Sequence, residues 1–245
     1  MSDEIKKEAH KLRILIELSS EILKEAQTMS SLDHKHIVRL IGVCETDPLM
    51  IVMELAPLGP LNQYLIDHTN CVPINDIIAL ILQVAMAMEY LECRQYIHRD
   101  LAARNVLLVN DRFAKISDFG MSRALGIGKE YYRARSASKW PLKWYAPECI
   151  YYFKFSTKSD VWSFGVTLWE AVSYGQKPYE GMDGQDILRL FRENRRLPKP
   201  DNCPDEIYEL MWKCWAFRYY EFIVSFSFRS PVFHSLFILS QLRML

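Results

Sequence analysis

The sequence lacks several features that mark particular classes of protein. Its 30 Lys and Arg balance its 30 Asp and Glu, and a net charge of zero gives no indication of a nucleic-acid or membrane-surface protein. Its six cysteines lack metal-ligand spacing and no secretory signal opens the chain, which favours reduced thiols in the cytosol. The first glycine is Gly42, so no glycine-rich phosphate-binding loop precedes that residue.

What the chain does contain is a large share of apolar sequence with clear periodicity. Its 245 residues are 50% hydrophobic, enough for one large domain or two small ones with a sizeable core. Apolar β-branched runs predict two hairpins, formed by residues 37–43 with 49–55 and by residues 106–109 with 113–116. Apolar residues at three- and four-residue steps predict helices, at residues 3–31, 61–66, 74–91, 157–174, 186–194 and 203–215.

Three motifs follow one another within about fifty residues. A polar loop, His98 to Asn105, lies between two apolar runs, and it is followed by Asp118-Phe119-Gly120 and then by Ala146-Pro147-Glu148. Together, in this order, they resemble the catalytic loop, magnesium loop and activation-segment end of a protein kinase. The resemblance implies an α+β, bilobal protein-kinase-like fold with an incomplete small lobe and a mainly α-helical large lobe.

The same resemblance implies how the chain is divided and where catalysis occurs. The partial small lobe is expected at residues 1–56, the large lobe at 57–218 and a non-family apolar tail at 219–245. In this fold Asp100 accepts the proton of the substrate hydroxyl, with Arg104 and Asn105 beside it in the catalytic loop. Asn105 and Asp118 supply oxygen ligands for Mg²⁺ or Mn²⁺, which holds the phosphates of ATP. Taken singly, Asp100 and Asp118 are better explained as ordinary loop and turn aspartates.

On the nucleotide side, the resemblance implies that Met53 is the gatekeeper at the end of a strand. Glu54 and Ala56 offer backbone groups to adenine, and Leu107 lies under its ring. Simple core filling is the alternative for Met53. Glu25, on the edge of the apolar stripe of the first helix, is implied to pair with the ATP-binding lysine, although a charge there is usually a solvated flank.

Further residues have implied structural or regulatory roles. Asp160 is implied to anchor the backbone of the catalytic loop, with helix capping as the alternative. Phosphorylation of the activation segment, residues 121–145, at Tyr131 or Tyr132 is expected to order it by pairing with Arg99. The complete set with such roles is Glu25, His98, Arg99, Phe119, Tyr131, Tyr132, Glu148 and Asp160.

The sequence departs from the kinase pattern at both ends. No glycine loop or lysine-bearing strand of the expected type precedes Glu25, so the chain is expected to begin inside the small lobe. The Arg-Pro pair expected after Trp215 is absent, which leaves Glu148 without its arginine. The tail from Phe222 is expected to expose apolar surface, and we do not expect it to span a membrane. Little activity is expected from residues 1–245 alone.

Two stretches indicate the subclass. Ala102-Ala103-Arg104 and Trp140 to Tyr145 are typical of tyrosine kinases, and the Tyr131-Tyr132 pair is among several features that look like the spleen tyrosine kinase family. The resemblance covers residues 21–215 and implies a cytoplasmic, non-receptor kinase that phosphorylates tyrosine on protein substrates with ATP. Phosphotyrosine-binding domains are expected upstream in a full-length protein. The alternative is a catalytically inactive fragment that acts only as a binding module.

Overall fold

The computed structural model describes residues 19–126, 128–135, 140–216 and 227–230. Helix α1 occupies residues 19–30, and the part of the predicted first helix before residue 19 lies outside the described residues. The other helices are α2 Leu61–Asp67, α3 Ile74–Cys93, α4 Pro147–Tyr152, α5 Thr157–Val172, α6 Gly184–Arg192 and α7 Asp205–Cys214. The strands are β1 Leu40–Cys44, β2 Met50–Met53, β3 Gly59–Pro60, β4 Tyr96–Ile97, β5 Val106–Asn110, β6 Phe113–Ile116, β7 Arg123–Ala124, β8 Tyr132–Arg133 and β9 Lys154–Phe155.

These strands form small antiparallel sheets rather than one large sheet. Strands β1 and β2 form a hairpin, β3, β5 and β6 form a three-stranded sheet, and β4–β7 and β8–β9 are two-stranded ribbons. Both predicted hairpins are therefore confirmed. Each ribbon joins segments that are distant in sequence, and the ribbons thereby fix both sides of the catalytic loop and the activation segment.

Helices α3 and α5 form the centre of the mainly helical part. Their apolar residues are buried on almost every side of α5 and along one face of α3, as periodicity predicted. Helix α5 begins where Ser156 and Ser159 form a reciprocal capping box, which satisfies amide groups that a helix start leaves free. Gly165 lets α7 approach closely, since a Cβ there would lie 2.7 Å from the Cys214 Cβ. The predicted α+β class is confirmed.

The segment at residues 227–230 packs against the helical core. Phe228 is 2% exposed and its ring meets that of Phe164 edge-on at 5.5 Å between centroids. The Ser227 hydroxyl donates to the carboxylate of Glu92 at the end of α3. The expectation of an exposed apolar tail is thus wrong at Phe228, because the ring finds an apolar site between core helices. The rest of the tail lies outside the described residues.

Helix α3 is the one helix among the described residues that is long and apolar enough to cross a membrane. Half of the tested window is buried inside the fold, and its buried face contributes Ile77, Leu80 and Ile81 to the core. A core helix of a globular domain has the same length and composition, so this feature is weak evidence for a span.

Candidate active site

A carboxylate of α5 binds the backbone of the catalytic loop. Asp160 accepts hydrogen bonds from the backbone amides of His98 (2.7 Å) and Arg99 (2.9 Å). Burial raises the pKa of Asp160 to about 7, while these two amide donors oppose the rise. Arg99 has a φ of +70°, an uncommon backbone conformation for a non-glycine residue. The two amide bonds to Asp160 secure the loop in that conformation.

Asp100 lies at the centre of a compact polar cluster on this loop. One oxygen of its carboxylate pairs with the Arg104 guanidinium, and the other accepts a hydrogen bond of 3.1 Å from Asn105 Nδ2. The same Nδ2 also donates to the Asp100 carbonyl oxygen at 2.7 Å. Burial raises the pKa of Asp100, Arg104 opposes the rise and Asp118 adds to it. The cluster fixes the carboxylate, while burial makes it a stronger proton acceptor than a free aspartate.

Behind Asp100, a buried histidine connects the catalytic loop to the Asp118-Phe119-Gly120 motif. His98 Nδ1 accepts from the Asp100 amide at 3.3 Å, and Nε2 lies 3.2 Å from the Ser117 carbonyl oxygen. The Phe119 ring meets the imidazole edge-on at 5.1 Å. Burial lowers the pKa of His98 to about 4, against the effects of Asp118 and the Ser117 carbonyl. The histidine is therefore neutral near pH 7.

The residues predicted to hold a metal ion offer two hard oxygen donors. Both hydrogen bonds of the Asn105 side chain are donated by Nδ2, so its amide oxygen remains available as a ligand. Asp118 is close enough to Asp100 to raise its pKa, which places a second carboxylate beside the cluster. Within the described residues, no group of three or more His, Cys, Asp or Glu side chains could hold a metal by itself. The donor set fits Mg²⁺ or Mn²⁺ that is also bound by phosphate oxygens.

The Glu25 side chain of α1 lies against the Asp118-Phe119-Gly120 motif, and its partner differs from the lysine that the resemblance implies. Among the described residues no lysine forms an ion pair with it. Its carboxylate accepts a hydrogen bond from the Phe119 amide, and a Cβ on Gly120 would lie 3.2 Å from Glu25 Oε2. Burial raises the pKa of Glu25, and Asp118 raises it further. The predicted pairing with a lysine is thus not found in the described part of the chain, where the backbone after Asp118 takes its place.

The residues predicted to face the nucleotide lie at or just after the C-terminal end of β2 and near the start of β5. Met53 ends β2 and is 39% exposed, so the alternative that it only fills the core is wrong. The Glu54 side chain, which is 24% exposed, pairs with Lys115 at 2.6 Å. Ala56 follows, and Leu107 on β5 is paired with Pro60 of β3. Strand β3, which follows the segment after Met53, therefore lies beside Leu107 in the same sheet.

The two tyrosines of the activation segment face different cations. Tyr132 of β8 pairs with Phe155 of β9, and the Arg99 guanidinium lies over both rings, 4.9 Å and 4.3 Å from their centroids. Lys154 Nζ lies 4.6 Å from the centroid of the Tyr131 ring. Because Arg99 lies at the Tyr132 ring and Lys154 at the Tyr131 ring, a phosphate on either tyrosine would meet a separate positive charge.

Glu148 has no arginine partner among the described residues. Burial raises its pKa, and its own backbone amide and Lys158 oppose the rise. The arginine partner of the kinase pattern would follow Trp215 in the sequence, and beyond Ala216 the structure describes only residues 227–230. The absence of an arginine partner for Glu148 therefore stays a prediction.

Two residues of the site were missed by the sequence analysis. Glu170 in α5 accepts hydrogen bonds from the Ala103 amide and from Trp144 Nε1, and Arg104 lies over the Trp144 ring. The available signal was an acidic residue in the last turn of a helix that is apolar nearly all round. Such a residue requires buried hydrogen-bond donors from elsewhere in the chain.

The fold and the arrangement of the catalytic loop define a protein kinase. Residues 7–221 match the family of protein tyrosine and serine/threonine kinases, and the chain belongs to this family. Its members use ATP and a divalent metal ion.

Individual relatives place the chain among the tyrosine kinases. It is 56% identical to tyrosine-protein kinase ZAP-70 of Mus musculus over 199 residues, which cover 81% of this chain and 32% of that protein. It is 53% identical to tyrosine-protein kinase SYK of Gallus gallus over 201 residues, covering 82% and 33%. Tyrosine-protein kinase HTK16 of Hydra vulgaris is 47% identical, covering 82% and 27%. The predicted membership of the spleen tyrosine kinase family is confirmed. The chain spans about a third of the length of the first two of these relatives.

Proposed function

We propose that the chain is the catalytic region of a non-receptor protein tyrosine kinase. It transfers the γ-phosphate of ATP to tyrosine hydroxyls of protein substrates in intracellular signalling. The observation that carries this proposal is the Asp100 carboxylate, which Arg104 and Asn105 hold in place. The backbone of the same loop is bound by Asp160. Phosphoryl transfer depends on positioning and charge stabilisation more than on covalent help from the protein, and this cluster supplies both.

In this reaction Asp100 accepts the proton of the substrate hydroxyl as the hydroxyl oxygen forms a bond to the γ-phosphorus of ATP. The bond from that phosphorus to the oxygen of the β-phosphate breaks at the same time, and ADP leaves. A raised pKa suits this role, because a base acts best when its pKa lies near the working pH. Arg104 and Asn105 prevent the carboxylate from rotating away. Asn105 and Asp118 would hold Mg²⁺ or Mn²⁺, which neutralises the phosphate charge when bound.

The nucleotide lies between the two proposed lobes, residues 1–56 and 57–218. The backbone of Glu54 and Ala56 binds adenine next to Met53, and Leu107 packs under the ring. The pairing of Glu54 with Lys115 supports this arrangement, because it removes the only charged side chain among these four residues from the adenine position. His98 and Phe119 support the loop from the side away from the substrate.

The names of the relatives suggest the wider setting. Like the tyrosine-protein kinases it matches, the chain acts on tyrosine side chains of proteins. We place this activity in the cytoplasm. In a longer protein, phosphotyrosine-binding domains upstream bring it to phosphorylated partners. Residues 219–245 form a segment distinct from the kinase pattern, of which Phe228 belongs to the packed core.

A binding module without catalysis is the second candidate. Two observations favour it for residues 1–245: no glycine precedes Gly42, and no lysine among the described residues pairs with Glu25. Removal of one charge-stabilising group commonly slows an enzyme by roughly a hundredfold or more. We therefore expect these residues alone to bind tyrosine peptides but to transfer phosphate very slowly.

Transfer of radiolabelled phosphate from ATP to a tyrosine peptide separates the two candidates. The assay compares residues 1–245 with a version extended at its N-terminus by a glycine-rich loop and a lysine-bearing strand. The kinase proposal expects turnover at least about a hundredfold faster in the extended version, and preference for tyrosine over serine. Peptide binding without turnover in either version would establish the binding module instead.

A further inference from the structure

A buried carboxylate links the catalytic loop to the segment before α4. Glu170 is 5% exposed, and its Oε2 accepts from the Ala103 amide at 2.9 Å and from Trp144 Nε1 at 2.8 Å. These donors come from two segments separated by about forty residues of chain. A carboxyl group buried in an apolar helix is costly unless it is hydrogen-bonded, so both donors are needed to keep it there.

The indole that Glu170 holds is also the support of Arg104. The guanidinium carbon of Arg104 lies 4.5 Å from the centroid of the Trp144 ring, and the guanidinium pairs with Asp100. A cation over an indole face is attracted by the ring quadrupole. An unbroken series of contacts therefore runs from Glu170 through Trp144 and Arg104 to the Asp100 carboxylate.

We propose that Glu170 and Trp144 are positioning residues that orient Arg104 and thereby Asp100 toward the hydroxyl of a bound tyrosine. This inference rests on the proposed kinase function and adds to it the contacts that orient the proton acceptor, Asp100. The backbone of Trp144 is held separately, because the Ser163 hydroxyl donates to its carbonyl oxygen at 2.8 Å. The bond from Nε1 to Glu170 therefore fixes the side chain, and the plane of the ring in particular.

The chain offers matched variants for a test. Trp144→Phe keeps an aromatic ring but loses the N–H that fixes its plane. Glu170→Leu removes the acceptor, whereas Glu170→Gln keeps a carbonyl oxygen in the same place. Trp169→Phe is the control, because Trp169 is a buried indole whose Nε1 donates at 2.7 Å to the Pro198 carbonyl oxygen rather than to Glu170.

The first measurement is the ratio of dissociation constants for two peptides that differ only in tyrosine or phenylalanine at the acceptor position. Fluorescence anisotropy gives both constants for residues 1–245. A hydroxyl bonded to a charged acceptor contributes roughly a tenfold difference in affinity. We expect that ratio in the unchanged chain, Glu170→Gln and Trp169→Phe, and a ratio near one in Trp144→Phe and Glu170→Leu. A loss of folded protein cancels in the ratio, so a merely structural role would leave it unchanged. An unaltered ratio in Trp144→Phe would overturn the inference.

The second measurement does not depend on the kinase function. The guanidinium N–H resonances of Arg104 report directly whether this side chain is held. They are expected to be sharp in the unchanged chain and in Trp169→Phe, and averaged or broadened in Trp144→Phe and Glu170→Leu. If the unchanged chain shows no preference for tyrosine, the proposed function fails, while the resonances still decide the positioning role. Equal sharpness in Trp144→Phe and Trp169→Phe would contradict it.

Discussion

Arg99 lies directly against Tyr132, with its guanidinium carbon 4.9 Å from the centroid of the tyrosine ring. The Arg99 Nε is buried and has no hydrogen-bond partner among the described residues, so the ring covers a positive group whose hydrogen-bonding capacity is not fully used there. This contact joins the activation segment to the residue next to Asp100. A charge added at Tyr132 would therefore act directly on Arg99 in the catalytic loop.

The two neighbouring tyrosines should respond differently to phosphorylation. A phosphate on Tyr132 can form a charge-assisted pair with Arg99, whereas Tyr131 faces Lys154, away from the loop. In the N-terminally extended version, we expect Tyr132→Phe to lose most of the gain in turnover that follows phosphorylation, and Tyr131→Phe to keep most of it. The double variant should gain nothing. Full activation of the double variant by an upstream kinase, measured by initial rates, would refute the pairing.

Asp160→Asn should loosen the catalytic loop. The side-chain amide keeps one acceptor oxygen but turns an NH₂ group toward the second backbone amide, which is then left unsatisfied at a cost of about 1–3 kcal/mol. Denaturant unfolding measures this loss. Asp183→Asn serves as the control, because a single oxygen of Asp183 accepts both amide bonds at the exposed start of α6, and the asparagine oxygen can accept both in its place. Equal losses in the two variants would argue against an anchoring role.

Acidification should destabilise the fold through His98. The folded-state pKa is lowered to about 4 from a usual value of 6.5, so the unfolded chain binds the proton more tightly. Stability contributed by neutral His98 is therefore fully present above about pH 6.5 and is lost as the pH falls toward 4. Protonation of Nδ1 would also break its bond with the Asp100 amide.

The free energy of unfolding of the parent, measured between pH 7 and pH 4, should thus fall more steeply than that of His98→Phe. Using the difference between the two proteins removes the contribution of other titrating groups. Parallel curves would show that His98 is protonated equally in the folded and unfolded chains.

Phe228→Ala should destabilise the large lobe by about 3–5 kcal/mol, the usual cost of removing a buried phenyl ring. The matched control is Leu55→Ala, because Leu55 is 81% exposed and a surface change of this kind is usually within about 0.5 kcal/mol. Thermal or denaturant unfolding gives both values. A loss at Phe228 no greater than at Leu55 would mean that the segment does not pack on the core in solution.

The regular elements of the fold were largely predictable because periodicity reports burial directly. Helix α3 was predicted at residues 74–91 and occupies Ile74–Cys93, and α5 was predicted at 157–174 and occupies Thr157–Val172. The ends differ by two residues because the last turn of a helix depends on capping as well as on apolar spacing. The short ribbons β4–β7 and β8–β9 were not predicted, since two-residue strands leave too little alternation to detect.

The catalytic loop was recognisable because its charged residues lie close together in sequence. The anchoring contact of Asp160 was expected from the family resemblance alone. The contacts of Glu170 were not predicted, since Glu170 is 67 residues from Ala103 and 26 from Trp144. Only the folded packing of α5 brings these groups together. The burial of Phe228 was missed for a similar reason, because an apolar residue in an apolar tail has no pattern that reveals its partner.

The most direct test of the account is phosphate transfer to a tyrosine peptide by the N-terminally extended version and by its Asp100→Asn variant. Asparagine fits the same space and can still bond to Arg104, but it cannot accept the substrate proton. We expect the variant to lose at least about a hundredfold in turnover, while its dissociation constant for ATP, measured by calorimetry, stays close to that of the parent. Normal turnover by Asp100→Asn would contradict the assignment of Asp100 and, with it, the proposed function.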